Sequence, residues 1–529
     1  VPNSEDMEAN IYEPIWRSLV LSYPGVAPGT VLYWAYEHVS VKPRNPGSFQ
    51  WGHTFRSTVP MRSARIDLKG PVDLPIHWIV SNNNSGLVSF SCADAGEDRV
   101  YSWQSKPAEM IGVEPGMVPV EEMMTSLYVS TDTWREFSAG EARYIEPNLV
   151  PDEAIRSAVN ELVADLDSPE AKLRALFNYV TKRVRYMGVA YGDRPGVNPD
   201  PVTRTFANNA GVCKDKAGLL TAMLRLAGIE ACYALNNPER RIVQDVAVDQ
   251  FNHAVVAARL PGESAWRTLD VTSDLSRSMC PAYSGGTQIL RITPEGAEPE
   301  TIPVSPPEAN AGRFNARSRI TPEGDLISSV HFTGDGAADQ MYREAFYYTE
   351  RPLWRDLFSY MVQSEFNRGE LVSWRFFPED PGDLDEPVSW QLDYRVPGYV
   401  TTAGSYRLLR LPLAQAPFNW FFEEIEEICS MEQRIYPADL VQTSSMMSEE
   451  ILTLPDTMTP VAFPDPVRIE VPGLRYEAVI NREDGGLRLS HLIAVTRSRI
   501  SAEDYREFRK AFHDIRRSGR AWVILEVQP

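Results

Sequence analysis

The sequence predicts an α+β protein: a central domain, in which a helix carrying a cysteine packs on an antiparallel sheet, lies between β-rich, sandwich-like domains. Three observations predict this. The chain is 529 residues long, more than one core of about 100–200 residues holds. Helical periodicity gathers between residues 152 and 227, while both flanks alternate short apolar runs with Pro, Gly and Asn punctuation. A glycine-bearing turn, Asn208-Asn209-Ala210-Gly211-Val212, leads straight into an apolar helical pattern at Cys213. The expected domains are a β-rich 1–150, a central 151–305, and a β-rich 306–529 with inserted helices.

Taken in order, residues 31–147 read as short strands, such as 31–38 and 76–81, broken at 43–47 and 82–86. Their tryptophans, Trp34, Trp51, Trp78 and Trp103, read as alternating core residues rather than as a sugar-stacking surface. The texture changes at 152–166, where Ile155, Val159, Leu162, Val163 and Leu166 fall at three- and four-residue steps. Ser168-Pro169-Glu170 then opens a second helix with a capping side chain and a proline at the first helical position. A third helix is expected over 212–227, stopped by Gly228 and apolar on most sides. Three strand-like runs follow at 229–235, 251–260 and 266–272. Beyond residue 313, hairpins are expected at 316–332, around Thr321-Pro322-Glu323-Gly324-Asp325, and at 476–495, through a loop at 481–486. Helices are expected at 353–361 and 418–428, another after Ser501-Ala502-Glu503-Asp504, and a closing strand at 521–527.

Composition excludes several function classes. Hydrophobic residues make up 43% and charged residues 23%, the profile of a folded globular chain. A net charge of −20 leaves no basic surplus to release counterions from phosphates, so nucleic acid is not an expected partner. No apolar run approaches the roughly 20 residues of a membrane span, and none is expected in the chain as given. It opens on Val1 rather than Met, which leaves room for a removed leader or anchor. Five cysteines, with no CxxC pair and no Cys/His ligand spacing, disfavour a disulfide framework and a zinc site. Without a phosphate loop, nicotinamide fingerprint or metal-binding histidine pair, no cofactor is expected. The run Glu423-Glu424-Ile425-Glu426-Glu427 reads as a solvated helix face.

Cys213 has the setting of a nucleophile. A thiol at a helix N-terminus meets the positive end of the dipole and unpaired N–H groups, which favour the thiolate, and Lys214 and Lys216 add charge nearby. A thiolate nucleophile needs a base, and the base needs an orienting acceptor. His253 and Asp270 lie on consecutive strands joined by Pro261-Gly262-Glu263-Ser264. If Leu260 pairs with Ala265, Asp270 falls on the face of His253, one diagonal step away; a two-residue shift sets them directly opposite. Either way the Cβ atoms are roughly 5–8 Å apart.

Residues 211–227, Phe251-Asn252-His253-Ala254 and Leu269-Asp270-Val271-Thr272 resemble the three motifs of the bacterial transglutaminase-like superfamily, a papain-like fold of cysteine acyl-transfer enzymes. Val184-Arg185-Tyr186-Met187-Gly188 and Pro199 extend the resemblance upstream, and it covers about 152–281. Pro24 to Trp34, the aromatic strands after them and Pro60 resemble the β-rich domain of unknown function that often precedes such modules in bacterial envelope proteins. The closing region resembles its β-rich companion. Val212 stands where many relatives carry an acidic residue, a departure read as a substrate-side difference.

The resemblance implies a Cys213, His253 and Asp270 triad acting on amide bonds of a peptide or protein substrate through a thioester. The oxyanion would be received by the Cys213 N–H and one further donor; Tyr186, Tyr191 and Asn252 are candidates, with Tyr186 preferred. Water or an amine acyl acceptor could complete the reaction, and nothing in the residues decides between them. The resemblance also implies a periplasmic or cell-envelope location. Two readings compete: a non-catalytic binding or assembly module using the fold as scaffold, and an amide-forming acyltransferase for small molecules.

Overall fold

The computed structural model describes residues 21–37, 39, 45–187, 196–415, 418 and 421–528. The chain divides into two compact units. One comprises Val1–Ile111, Met124–Ser273 and Thr287–Ile302; the other comprises Gly112–Met123, Asp274–Gly286 and Pro303–Pro529.

The first unit holds two three-stranded sheets. One runs Gln50–Arg56, Thr125–Ser130, His77–Val80, and the other Arg65–Pro71, Asp98–Ser105, Val88–Ala95. Phe55, Trp103, Leu127 and Val129 are buried between them. Trp78 packs against this core, so it and Trp103 behave as alternating strand aromatics should. Trp34 and Trp51 do not: they are 69% and 40% exposed. The strand expected at 31–38 does not form over 31–37, and His38 lies outside the described residues. Val31, Tyr33, Trp34 and Tyr36 face solvent; β propensity alone makes no strand without a partner ladder to pack on. The region is also not purely β. A helix, Trp134–Ile145, is held at its start by reciprocal bonds between Thr133 and Glu136, a capping box that the Thr-x-x-Glu spacing announces.

The three helices expected downstream are present as Glu153–Val163, Pro169–Arg183 and Cys213–Leu226. Asp152 and Ser168 cap the first two through their side chains. The third buries nearly every side chain, with Leu219, Leu220, Met223 and Leu224 fully enclosed, each contributing roughly 1.5–3 kcal/mol by transfer from water. It stops at Gly228, whose φ of 77° suits a residue without a Cβ. The helix packs on Glu230–Asn236 and His253–Arg259, the middle of an antiparallel five-stranded sheet ordered Arg267–Leu269, His253–Arg259, Glu230–Asn236, Gln288–Arg291, Glu300–Thr301.

The second unit is built on an eight-stranded sheet, from Glu370–Phe377 at one edge to Val467–Val471 at the other. Its one parallel pairing joins Ala311–Ile320 to Ser444–Thr453. The first expected hairpin turns as predicted, with Ile320 paired to Leu326. In the second, the strands Leu474–Glu483 and Gly486–Val495 pair through most of the expected loop, leaving a tight turn at Asp484 and Gly485. Helices Trp354–Glu365, Phe421–Ile428 and Tyr505–Gly519 stand near their expected places, and Glu424, Glu426 and Glu427 are exposed around a buried Ile425. Ala337–Tyr347 is a further helix, which the sequence reading missed. Among the described residues no helix is long and apolar enough to cross a membrane.

Candidate active site

Cys213 is the first residue of its helix, after Val212 in extended backbone. The carbonyl of Val212 accepts from the N–H groups of Asp215 and Lys216, both at 3.0 Å. Cys213 is buried at the end where the helix presents unpaired amides.

The sheet brings His253 and Asp270 to this point. The observed register pairs Val256 with Leu269 and Ala258 with Arg267, the register in which Leu260 would face Ala265. Asp270 is therefore one diagonal step from His253, on the same face. His253 Nε2 donates to Asp270 Oδ2 at 2.9 Å, and the Cys213 thiol is near enough to the same imidazole to favour its charged form. Asp270 Oδ1 accepts from Thr272 N–H at 2.9 Å and from the Thr272 hydroxyl at 2.6 Å. Both carboxylate oxygens are thus taken, and the side chain is fixed.

These contacts set the electrostatics of the pair. Burial opposes the imidazolium, but the charge and hydrogen bond of Asp270, together with the Cys213 thiol, outweigh it, and the His253 pKa is pushed up to about 10. Burial likewise opposes the Asp270 carboxylate; His253 and the two Thr272 donors more than compensate and hold it below the usual carboxylate range. Two other thiols are shifted by their surroundings. Burial raises Cys232, and it pushes Cys429 up to about 12. All five cysteines are free, and Cys92 is exposed.

Of the three oxyanion candidates, Tyr186 stands closest to the chemistry. Its hydroxyl is near enough to Cys213 that the backbone N–H and the thiol both act on its proton. Burial, then the negative charges of Cys213 and Asp270, hold its pKa well above the usual tyrosine value, so it keeps its proton as a donor. Tyr191 lies outside the described residues. Asn252 donates its backbone N–H to the carbonyl of Asn236 at 3.3 Å, and among the described residues its buried Oδ1 has no partner.

The two lysines flanking the cysteine bind backbone oxygens. Lys214 Nζ donates to the carbonyl of Gly196 at 2.8 Å. Lys216, wholly buried, donates to the carbonyl of Thr181 at 3.1 Å and sits 6.0 Å from the Tyr186 ring centre. Two residues of the site went unassigned from sequence. Thr272, two positions after Asp270, was within a quoted motif but had no role. Asp215 occupies the third helical position, where a carboxylate reaches back to the capping residue. Among the described residues no group of three or more His, Cys, Asp or Glu side chains is arranged to hold a metal ion.

Comparison with known proteins bears on this site. Residues 156–271 match the family model of the transglutaminase-like superfamily. Residues 2–111 and 409–525 match two domains of unknown function, DUF3857 and DUF3858. No curated protein matches the chain. Among solved structures, a "putative protease" from Parabacteroides distasonis is similar over 92% of this chain and 76% of its own, with TM-score 0.57 and 11% identity; at that identity the likeness is one of fold. A "putative cysteine protease" from Cytophaga hutchinsonii (TM-score 0.21, 15% identity, 48% of this chain and 88% of its own) and red sea bream transglutaminase (TM-score 0.18, 12% identity, 53% and 68%) align too loosely to carry an argument. The chain carries a transglutaminase-like domain between two β-rich flanking domains.

Proposed function

We propose, from a transglutaminase-like domain as the premise, that this chain is a cysteine acyl hydrolase or acyltransferase acting on amide bonds of peptides or proteins. The observation that carries the reading is the His253 to Asp270 hydrogen bond of 2.9 Å on an imidazole that also meets a thiol at a helix N-terminus. That combination supplies nucleophile, proton carrier and orienting acceptor.

In this mechanism the Cys213 sulfur attacks the amide carbonyl, and the carbonyl electron pair moves onto oxygen. Cys213 N–H and the Tyr186 O–H stabilise the resulting oxyanion. Protonated His253 gives its proton to the leaving amine as the C–N bond breaks, which leaves a thioester on Cys213. His253 then takes a proton from water or from an incoming amine, which attacks the thioester and expels the thiolate. Asp270 holds the imidazole in the orientation both transfers need.

The three-part organisation 1–150, 151–305 and 306–529 belongs to the same proposal, as does a periplasmic or cell-envelope location, which rests on the resemblance alone. The test is alkylation of the intact chain by iodoacetamide near neutral pH, read by peptide mass. Cys213 should react faster than the exposed Cys92, and His253→Gln should abolish the difference. If Cys213 reacts no faster than Cys92, or is indifferent to His253, the scaffold reading replaces this one.

A further inference from the structure

The residue two places after the cysteine connects the parts of the site. Asp215 is 5% exposed, and both carboxylate oxygens accept from backbone. Oδ2 takes the N–H of Val212 at 3.1 Å and Oδ1 takes the N–H of Asp200 at 2.8 Å. The first bond acts on the peptide linking Gly211 to Val212. The carbonyl of that same peptide accepts from the N–H of Met187 at 3.1 Å. One peptide plane is therefore gripped from both sides, by Asp215 on its nitrogen and by Met187 on its oxygen. Tyr186 sits beside Met187 and Cys213 beside Val212, so the plane joins the two donors. A second rung, from Arg185 N–H to the Asn209 carbonyl at 2.9 Å, completes the short parallel bridge that carries Tyr186.

The approach is tight enough to dictate a neighbour. A Cβ on Gly211 would lie 2.6 Å from the Asp215 Cβ, so only glycine lets the carboxylate reach the turn. Burial raises the Asp215 pKa against the two amide donors, which makes this an expensive place for a carboxyl group and calls for a reason beyond capping.

We propose that Asp215 is a positioning residue of the oxyanion pocket. By fixing the peptide between Gly211 and Val212, it holds the Cys213 N–H and the Tyr186 hydroxyl side by side in the geometry that receives a tetrahedral oxyanion. The inference rests on the acyl-transfer reading above, and its test separates the two.

The test uses two probes of the full chain. With p-nitrophenyl acetate, the Cys213 sulfur bonds to the carbonyl carbon and the oxygen becomes an oxyanion. Collapse restores the carbonyl and expels p-nitrophenolate with the C–O electron pair. With iodoacetamide, sulfur displaces iodide at a saturated carbon and no oxyanion forms. Asp215→Asn keeps the side-chain size but turns one acceptor into a donor facing an N–H. Acylation should fall about 10²-fold, the order of losing an oxyanion donor, while alkylation stays close to wild type. Equal losses in both reactions would show a general loosening of the nucleophile turn and overturn the proposal, as would no loss in either. Should Asp215→Asn fail to fold, Gly211→Ala displaces the carboxylate by collision and should give the same split. Wild type inert to both probes would instead refute the acyl-transfer reading itself.

Discussion

The imidazole of His253 donates to Asp270 across 2.9 Å, while Thr272 occupies the second oxygen of the same carboxylate. Asp270 is wholly enclosed and cannot turn away from the imidazole without losing three hydrogen bonds. Asp270→Asn keeps the shape but offers an amide where the imidazole needs an acceptor. Acylation by p-nitrophenyl acetate should slow on the order of 10⁴-fold, as expected when an imidazole loses its orienting acceptor. An unchanged rate would show that Asp270 does not orient His253.

The same pair makes stability depend on pH. The folded pKa of His253, about 10, exceeds the unfolded value of about 6.5. The stabilising contribution is therefore complete below about pH 6.5 and lost as pH rises through about 10. Asp270, depressed in the fold, contributes above its unfolded value of about 3.9 and loses that contribution only in stronger acid. Urea midpoints of wild type and His253→Gln should differ by the equivalent of a few kcal/mol near neutral pH and converge toward pH 11. Parallel curves would contradict the assignment.

Tyr186→Phe removes the hydroxyl beside Cys213 and leaves the ring near Lys216. Acylation should fall about 10²-fold, with little change in iodoacetamide alkylation. Equal effects on both reactions would place Tyr186 in thiol activation rather than oxyanion binding.

A buried acid in the other unit gives an independent check. Glu450 is fully enclosed; Oε1 accepts from the Ser318 hydroxyl at 2.6 Å and Oε2 from Leu413 N–H at 2.9 Å. Burial outweighs these donors and pushes its pKa up to about 7. Because the folded value exceeds the unfolded value of about 4.3, the fold prefers the protonated acid. The cost is absent below about pH 4, grows as pH rises, and is complete above about pH 7. Glu450→Gln should therefore gain stability over wild type between pH 4.5 and pH 8, on the order of 3 kcal/mol. A pH-independent difference in melting temperature would show that Glu450 does not titrate in that range.

The parts of this architecture legible in the sequence are those with local signals. Ser168 and Gly228 mark helix ends by side-chain and backbone chemistry, the apolar steps of 152–166 mark a helix of their own, and each helix is where its signal put it. The Cys213 turn was legible for the same reason. The His253 to Asp270 register was readable to within a two-residue shift, because strand periodicity fixes the face but not the turn. Features that depend on long-range partners were not. Residues 31–37 have strand composition and no ladder. The Trp134–Ile145 helix has only its Thr133 and Glu136 cap as a local signal, set among residues of strand composition. The role of Asp215 is not legible locally, because its two amide partners come from different segments, one of them fifteen residues away.

In the proposed mechanism Cys213 forms a thioester under the control of His253 and Asp270. Intact-mass spectrometry of the full chain after brief exposure to p-nitrophenyl acetate tests it most directly. Wild type should give a single acetyl adduct that maps to Cys213, is absent from Cys213→Ala, forms far more slowly in His253→Gln, and decays into water or is transferred to added glycinamide. No adduct on wild type, or an equal adduct on Cys213→Ala, would contradict it.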